Sequence, residues 1–133
     1  MDRVVNVRIK DTLYTLNYSV AVMFDTADKY GDIQKALDAL AQDGRDGFDT
    51  LRWFLLKLSE DGELARREEG YEPSPFLKEA DISPRMKPLE YEELKGAVVA
   101  AVTMGYQREV QADDEEIDVG LQELNEKKTK AGD

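Results

Sequence analysis

Any chemistry in this sequence must use carboxylates, lysines or hydroxyl groups, and the carboxylates are the most numerous of these. Of 133 residues, 29 are Asp or Glu and 18 are Lys or Arg, so the formal net charge is −11, and neither Cys nor His occurs. This composition excludes thiol and imidazole catalysis, disulfides, iron–sulfur clusters and Cys- or His-ligated metals. A carboxylate that acts as a general acid needs an apolar pocket that raises its pKa. Candidates such as Asp25 and Asp28 fall on the polar side of a predicted helix, so we expect no enzyme activity and no cofactor.

The acidic run at residues 113–116 is a candidate for weak cation binding. Its four consecutive carboxylates lack the alternating spacing and the central Gly of a calcium loop, so a solvated charge run is favoured over a metal site. Gly44 and Gly47 are not followed by the Lys of a phosphate-binding loop, and a turn explains them better. The acidic balance argues against binding to nucleic acid or to anionic membranes. No apolar run reaches the ~20 residues of a membrane span, and we expect an intracellular protein.

The elements that position these side chains begin with a β-hairpin, predicted over residues 4–18. Apolar and polar residues alternate on both sides of a polar turn at residues 10–12, which is the period of half-buried strands. No Asn-Gly or Asp-Gly pair fixes the turn type. Since a lone hairpin is marginally stable, its apolar face must pack on the helices that follow.

Apolar residues that recur at helical spacing predict helices at about 20–30, 32–42, 47–60 and 89–107. Ser19 and Asp32 are suited to cap the first two helices, and Gly31 and Gly62 to end the first and the third. Pro88 suits the first turn of the last helix.

The predicted core stripe of the first helix consists of Val20, Met23, Phe24 and Ala27. Trp53 lies off the stripe of the third helix, and it is either a core-edge residue or an anchor for a partner. The aromatic residues on apolar stripes are predicted to lie in the core; they are Tyr14, Tyr18, Phe24, Tyr30, Phe48 and Phe54.

The composition changes after the third helix. Residues 63–69 are so heavily charged that a helix there would be short or exposed, and residues 70–88 contain all four prolines. We expect residues 70–88 to form an extended, ordered loop, in which Tyr71, Phe76 and Leu77 either face a partner or anchor the loop on the core. Residues 111–133 are predicted to be an acidic tail that is partly helical or disordered.

The predicted fold class is α+β and mostly α. An N-terminal β-hairpin packs on a bundle of about four to five helices within one globular domain of residues 1–110, followed by the flexible acidic C-terminal tail. The last helix is apolar on all sides at residues 97–102, so this stretch is either central or self-associating. The second alternative predicts a dimer or a larger ring.

A protein-binding function is favoured by two surfaces, the apolar last helix and the acidic tail. An apolar helix face within an acidic field suits a partner with amphipathic, basic helices. This hypothesis requires the last helix to expose its apolar surface. The candidate partner-binding residues are Trp53, Tyr71, Phe76, Leu77, Val98, Val99, Val102, Met104, Ile117, Leu121 and Leu124.

The order of these segments resembles one known family. The hairpin at residues 4–16 leads into a helix that ends Asp-Lys-Tyr-Gly-Asp at 28–32, and Ile-Gln-Lys-Ala-Leu follows at 33–37. After a Trp-containing helix come Gly-Tyr-Glu-Pro-Ser-Pro-Phe-Leu at 70–77, a long Ala/Val helix and Glu-Ile-Asp-Val-Gly-Leu-Gln-Glu-Leu at 116–124. Together these segments resemble the tail assembly chaperones of long-tailed, siphovirus-type bacteriophages and prophages.

The resemblance implies a non-catalytic protein of the bacterial host cytoplasm that binds the tape-measure protein and keeps it soluble during tail morphogenesis. It implies the tail-tube protein as a second partner for C-terminally extended forms, and the family has no catalytic residues to transfer. The alternative is an acidic nucleic-acid mimic or another phage protein-binding module, motivated by the net charge of −11. The acidic residues are concentrated in the tail and are not spread over one face at the spacing of phosphates, which argues against the nucleic-acid mimic.

Overall fold

The computed structural model of the protein describes residues 3–107 and begins with an antiparallel β-hairpin. Strand β1 spans Val5–Ile9 and strand β2 spans Thr12–Leu16. The two residues between them, Lys10 and Asp11, have φ values of 50° and 66°. Positive φ at both positions is the pattern of a type I′ turn, whose twist matches that of paired strands. The hairpin forms as predicted, with a tight turn that contains no glycine.

Four α-helices follow the hairpin in the described part of the chain. A single 3₁₀ turn at Glu79–Asp81 lies in the otherwise irregular segment before the last helix. The fold class is therefore α+β and mostly α, as predicted. The helices are α1 (Val20–Tyr30), α2 (Ile33–Leu40), α3 (Arg45–Glu68) and α4 (Pro88–Tyr106).

Local signals explain most of the helix boundaries. The side chain of Asp32 caps α2 by accepting a hydrogen bond of 2.8 Å from the backbone N–H three residues on. Gly31, with φ of 101°, ends α1, and Pro88 lies in the first turn of α4. Ser19 precedes α1 as expected, but its hydroxyl donates to Asp61 of α3 at 2.9 Å. The start of α1 is thus fixed by a tertiary contact and not by a side-chain cap.

Helix α3 is longer than predicted because Gly62 does not end it. The helix continues to Glu68, through the charged segment where only a short or exposed helix was expected. A Cβ atom at Gly62 would lie 1.9 Å from the carbonyl oxygen of Thr15. The missing side chain lets β2 pack directly on the α3 backbone, where the N–H of Asn17 donates to the carbonyl of Leu58 at 3.1 Å.

The hydrophobic core is formed by the hairpin and all four α-helices, with α3 in contact with each of the other helices and with β2. The predicted core aromatic residues lie in this core or pack against it, with the exception of Phe24. The buried hydrophobic residues are Val7, Ile9, Leu16, Tyr18, Val22, Ala36, Leu40, Leu51, Phe54, Leu55, Leu58, Leu77, Ile82, Leu94, Val98, Ala101 and Val102.

Helix α4 is a central helix. Its apolar stretch at residues 97–102 was predicted to be either central or self-associating, and the structure shows the first. Val98, Ala101 and Val102 are buried, and only Val99 of the large apolar residues at 97–102 is exposed, at 43%. The apolar band is therefore covered by the protein's own core. It no longer provides a reason to expect self-association.

Helix α1 faces the core with a different side from the predicted one. Val22 and Thr26 are buried, whereas Val20 and Phe24 are 58% and 60% exposed. Thr26 tolerates burial because its hydroxyl donates to the Val22 carbonyl at 2.7 Å, so no polar group is left unpaired. The assignment of Val20, Phe24 and Ala27 to the core was wrong.

The segment at residues 70–88 is ordered and is held on the core by the buried side chains of Leu77 and Ile82. Within residues 3–107, no helix is both long enough and apolar enough to cross a bilayer. The predicted domain end at residue 110 and the predicted acidic tail at 111–133 lie outside the described residues.

Candidate partner-binding surface

Three of the predicted partner-binding residues lie in the core. Val98 and Val102 are on the buried face of α4, and Leu77 anchors the proline-rich loop. Burial of an aliphatic side chain of this size contributes about 1.5–3 kcal/mol to stability, so the fold itself accounts for these residues. The prediction that they form a contact surface is corrected: a partner cannot reach them in this fold.

The other predicted residues differ in exposure. Tyr71, Phe76 and Val99 are exposed, and Met104 is half-buried. The three apolar residues of the acidic segment lie outside the described part of the chain; they are Ile117, Leu121 and Leu124.

Trp53 is a core-edge residue. Its ring packs edge-on against Tyr30 and Phe54, with centroid distances of 5.4 Å and 5.2 Å. The ammonium of Lys57 lies over the indole, 6.0 Å from its centroid. Between the two alternatives left open for Trp53, the geometry favours packing over an anchor for a partner.

A buried carboxylate, that of Glu63, holds the beginning of the proline-rich loop against α3. Its Oε1 accepts a hydrogen bond from Nη1 of Arg66 at 2.6 Å, and its Oε2 accepts one from Nε of Arg67 at 2.9 Å. The backbone N–H of Ser74 donates to the same Oε2 at 2.7 Å, and Arg67 donates to the Ser74 carbonyl at 3.1 Å. We refer to Glu63, Arg66, Arg67 and Ser74 as the clasp.

The clasp lowers the pKa of the Glu63 carboxyl. Burial alone raises this pKa, because the charged form loses hydration. The hydrogen bonds from Ser74, Arg67 and Arg66 outweigh burial, and the pKa lies below the ordinary value of 4.5. A general acid needs the opposite shift, so the geometry assigns Glu63 a structural role as an anion.

The two arginines of the clasp also position aromatic rings at the surface. The guanidinium of Arg66 lies 5.3 Å from the ring centroid of Tyr71, and that of Arg67 lies 4.6 Å from the ring centroid of Phe76. The two aromatic residues remain 50% and 40% exposed. Cation–π contact of this kind holds a ring in place without burying its outer face.

Two apolar neighbours extend this surface towards the hairpin. Leu13 at the start of β2 and Pro75 of the loop are exposed, and both line a cavity of about 180 Å³ together with Arg66 and Ser74. The hairpin and the loop therefore meet beside the clasp. We refer to the four exposed residues Leu13, Tyr71, Pro75 and Phe76 as the loop surface.

A second exposed apolar surface lies on the outer face of α1, where Val20, Ala21, Phe24 and Ala27 are exposed. Sequence reasoning missed this surface because it assigned the stripe to the core. The signal that could have found it is the apolar start of α1, whose first five residues are all apolar. Such a helix has apolar side chains on opposite faces, and in α1 only the face with Val22 and Thr26 is buried.

The carboxylates that the sequence offered for chemistry are exposed or lie outside the described residues. Asp25 forms a surface ion pair of 3.3 Å with Lys57, and Asp28 is exposed. Among residues 3–107, no group of three or more Asp and Glu side chains is placed to hold a metal ion. The acidic run at 113–116 is outside this range.

Comparisons of the chain with family models, with curated proteins and with solved structures find no match. The candidate site is therefore defined by its own geometry. It consists of exposed apolar and aromatic side chains on a packed frame, which is an arrangement that can bind another polypeptide.

Proposed function

We propose that this chain is a non-catalytic phage tail assembly chaperone that binds the tape-measure protein in the bacterial host cytoplasm and keeps it soluble during tail morphogenesis. The observation that supports a binding function is the loop surface, where Tyr71 and Phe76 are exposed although arginines hold them in place. The link to phage tails comes from the resemblance in the order of elements.

The geometry of the loop surface favours binding because its rings are ordered before a partner arrives. A side chain that is already fixed loses little conformational entropy on contact, so more of the interaction energy appears as affinity. Tyr and Arg are also enriched among the residues that dominate binding energy at interfaces. Glu63 pairs with both arginines, which keeps them in position when a partner displaces water from the rings.

The requirement that the last helix expose its apolar surface is not met, so this sequence-based argument for binding is lost and the proposal depends on the loop, whose Tyr71 and Phe76 were also predicted as binding residues. Helix α4 buries its apolar stretch, so the client would contact the loop surface, with the outer face of α1 as a second contact area. The net charge of −11 fits a client whose amphipathic helices are basic, because opposite charges steer association and suppress other partners.

Co-expression with the tape-measure protein of the same gene cluster tests this function. We expect the wild-type chain to raise the soluble fraction of the client and to co-purify with it. The Y71S/F76S variant should lose most of the co-purified client, since about 1 kcal/mol or more is lost for each truncated hot-spot residue.

The L89S variant is a matched control, because Leu89 is an exposed apolar residue on α4 outside the loop surface. It should bind the client as the wild-type chain does. Unchanged client solubility with the wild-type chain would contradict the chaperone function. Equal losses for L89S and Y71S/F76S would instead remove the loop surface from the proposal.

A further inference from the structure

An apolar groove lies at the end of the molecule where α3 and α4 begin. Its volume is about 620 Å³, and the rings of Phe48 and Tyr91 in its wall are 6.2 Å apart. Met86 and two prolines, Pro84 and Pro88, complete the apolar lining. The volume falls within the range of about 300–1,000 Å³ that is common for binding pockets, and the lining suits apolar side chains.

The edge of this groove is positively charged. Arg45 and Arg52 line it, and Lys87 lies between two lining residues in the chain. The side chains of Arg45 and Lys87 have no ion-pair partner among residues 3–107. Arg52 forms ion pairs with Asp49 and Glu79, at the long distances of 3.5 Å and 3.8 Å. Asp49 itself lines the groove and offsets part of the Arg52 charge. The cations that are free to bind carboxylates are therefore Arg45 and the adjacent Lys87.

Two helix N-termini add to this positive potential. Helix α3 begins after Gly44 and α4 begins after Lys87, and neither has a side-chain hydrogen bond as a cap. The first N–H groups of each helix lack partners within the helix and form the positive end of its dipole. The acidic residues of the two first turns, Asp46 and Glu90, line other cavities. The buried hydroxyl of Tyr91 also has no hydrogen-bond partner within residues 3–107.

We propose that the acidic segment at residues 113–126 of the same chain binds in this groove. The segment contains seven acidic residues and no basic residue, and Ile117, Leu121 and Leu124 recur at the spacing of one helix face. Its apolar side chains would fill the groove while its carboxylates contact the positive edge. The cations Arg45 and Lys87, which have no ion-pair partner among residues 3–107, favour this groove for an acidic segment.

The length of the chain allows this contact within one molecule. Helix α4 has 19 residues and is therefore ~28 Å long. The chain leaves α4 after Gln107, at the end of the helix opposite the groove. The ten residues from 108 to 117 span up to ~33 Å when extended. Ile117 can therefore return along α4 to the groove.

Binding within one chain is also favoured by the high effective concentration of a tethered segment. A segment tethered by a short linker reaches an effective concentration in the millimolar range, which a second copy attains only at high protein concentration. The contact therefore needs only modest intrinsic affinity, and it does not involve the client of the proposed function.

A spin label in the full chain tests this proposal. Because the sequence contains no Cys, the N125C variant takes a single nitroxide label. We expect paramagnetic broadening of the backbone amide signals of residues 44–49 and 89–92, with no change at residues 66–71 at the other end of α3. Absence of broadening at the groove would overturn the proposal.

Paired charge reversals in the labelled chain provide the controls. R45E/K87E should abolish the broadening, whereas R8E/K35E, which reverses two exposed cations outside the groove, should preserve it. The I117S/L121S/L124S variant should also abolish it. Equal effects of the two charge reversals would contradict specific binding.

A mixed sample distinguishes the same chain from a second copy. Spin-labelled chains without ¹⁵N are added to ¹⁵N-labelled chains without a spin label, and we expect no broadening. Broadening at the groove in this mixture would assign the groove to a second copy and overturn the same-chain contact. Either result leaves the test of client solubility unaffected.

Discussion

The two ends of α3 differ in how completely their polar groups are paired. At the C-terminal end, Glu63 binds two arginines and the Ser74 N–H, and Asp61 accepts hydrogen bonds from Asn17 and Ser19 at 2.8 Å and 2.9 Å. At the N-terminal end, helices α3 and α4 start without side-chain caps, and the buried Tyr91 hydroxyl has no partner among residues 3–107.

This difference leads us to expect separate effects on stability and on the proposed binding at the two ends of α3. A buried polar group without a partner costs about 1–3 kcal/mol, so complete pairing at the C-terminal end stabilises the fold. The uncapped N-termini of α3 and α4 remain available to a ligand that supplies the missing hydrogen bonds, whereas the Tyr91 hydroxyl is buried. We therefore expect substitutions near the hairpin to change stability and substitutions at the groove to change binding.

The largest effect is expected for G62A. The new methyl group would overlap the Thr15 carbonyl oxygen at 1.9 Å, and this contact involves backbone on both sides. Separation of β2 from α3 would expose core residues, so we expect a loss of about 3 kcal/mol or more in the free energy of unfolding. Chemical denaturation followed by circular dichroism measures it.

G96A is the matched control, since Gly96 also lies inside a helix but has open space where a Cβ would be. Alanine is favoured over glycine in a helix by up to about 1 kcal/mol, so G96A should be neutral or stabilising. If G62A proved as stable as G96A, the close approach of β2 to α3 would be refuted.

An intermediate effect is expected for E63Q. Glutamine keeps an acceptor for the Ser74 N–H but removes the negative charge that both arginines contact. A fully buried pair loses about 3–5 kcal/mol in this way, but Arg66 and Arg67 are partly exposed, so we expect a loss of about 2 kcal/mol. Thermal unfolding at pH 7 gives the comparison with the wild-type chain.

The pH dependence of the stability difference between the wild-type chain and E63Q provides the control. The pKa of Glu63 is lower in the folded state than the ordinary value of 4.5, so the folded state binds the proton more weakly than the unfolded state. The stabilisation by Glu63 is complete above this value and disappears as the pH falls through the folded-state pKa. The difference between wild-type and E63Q chains should therefore shrink in acid. A constant difference from pH 7 to pH 3 would contradict the charged clasp.

The smallest effect is expected for Y91F at the other end of α3. Removing a hydroxyl that has no hydrogen-bond partner within residues 3–107 takes away a desolvation cost, so the variant should be unchanged or up to about 1 kcal/mol more stable. Differential scanning calorimetry resolves a change of this size. A clear destabilisation would show that the hydroxyl is bound in solution and would weaken the contrast between the two ends.

Short-range features of the sequence predicted the elements and most of their boundaries. The alternation of residues 4–18 predicted the hairpin, Asp32 and Gly31 marked the adjoining ends of α1 and α2, and Pro88 marked the start of α4. Each of these signals depends on groups within a few residues of one another in the chain. Tyr71 and Phe76 are exposed, and their role in binding stays a prediction.

The tertiary structure decided which helix face is buried and what each glycine does. Phe24 is exposed because the core covers the opposite side of α1. Gly62 does not end α3; the Thr15 carbonyl packs where a side chain at this position would lie. Glu63 can be buried because Arg66, Arg67 and Ser74 pair with it. The charged sequence at residues 63–69 does not show which of its residues will form such pairs. Local propensity acts over one or two turns of chain, whereas burial depends on residues that are distant in sequence and meet only in the folded molecule.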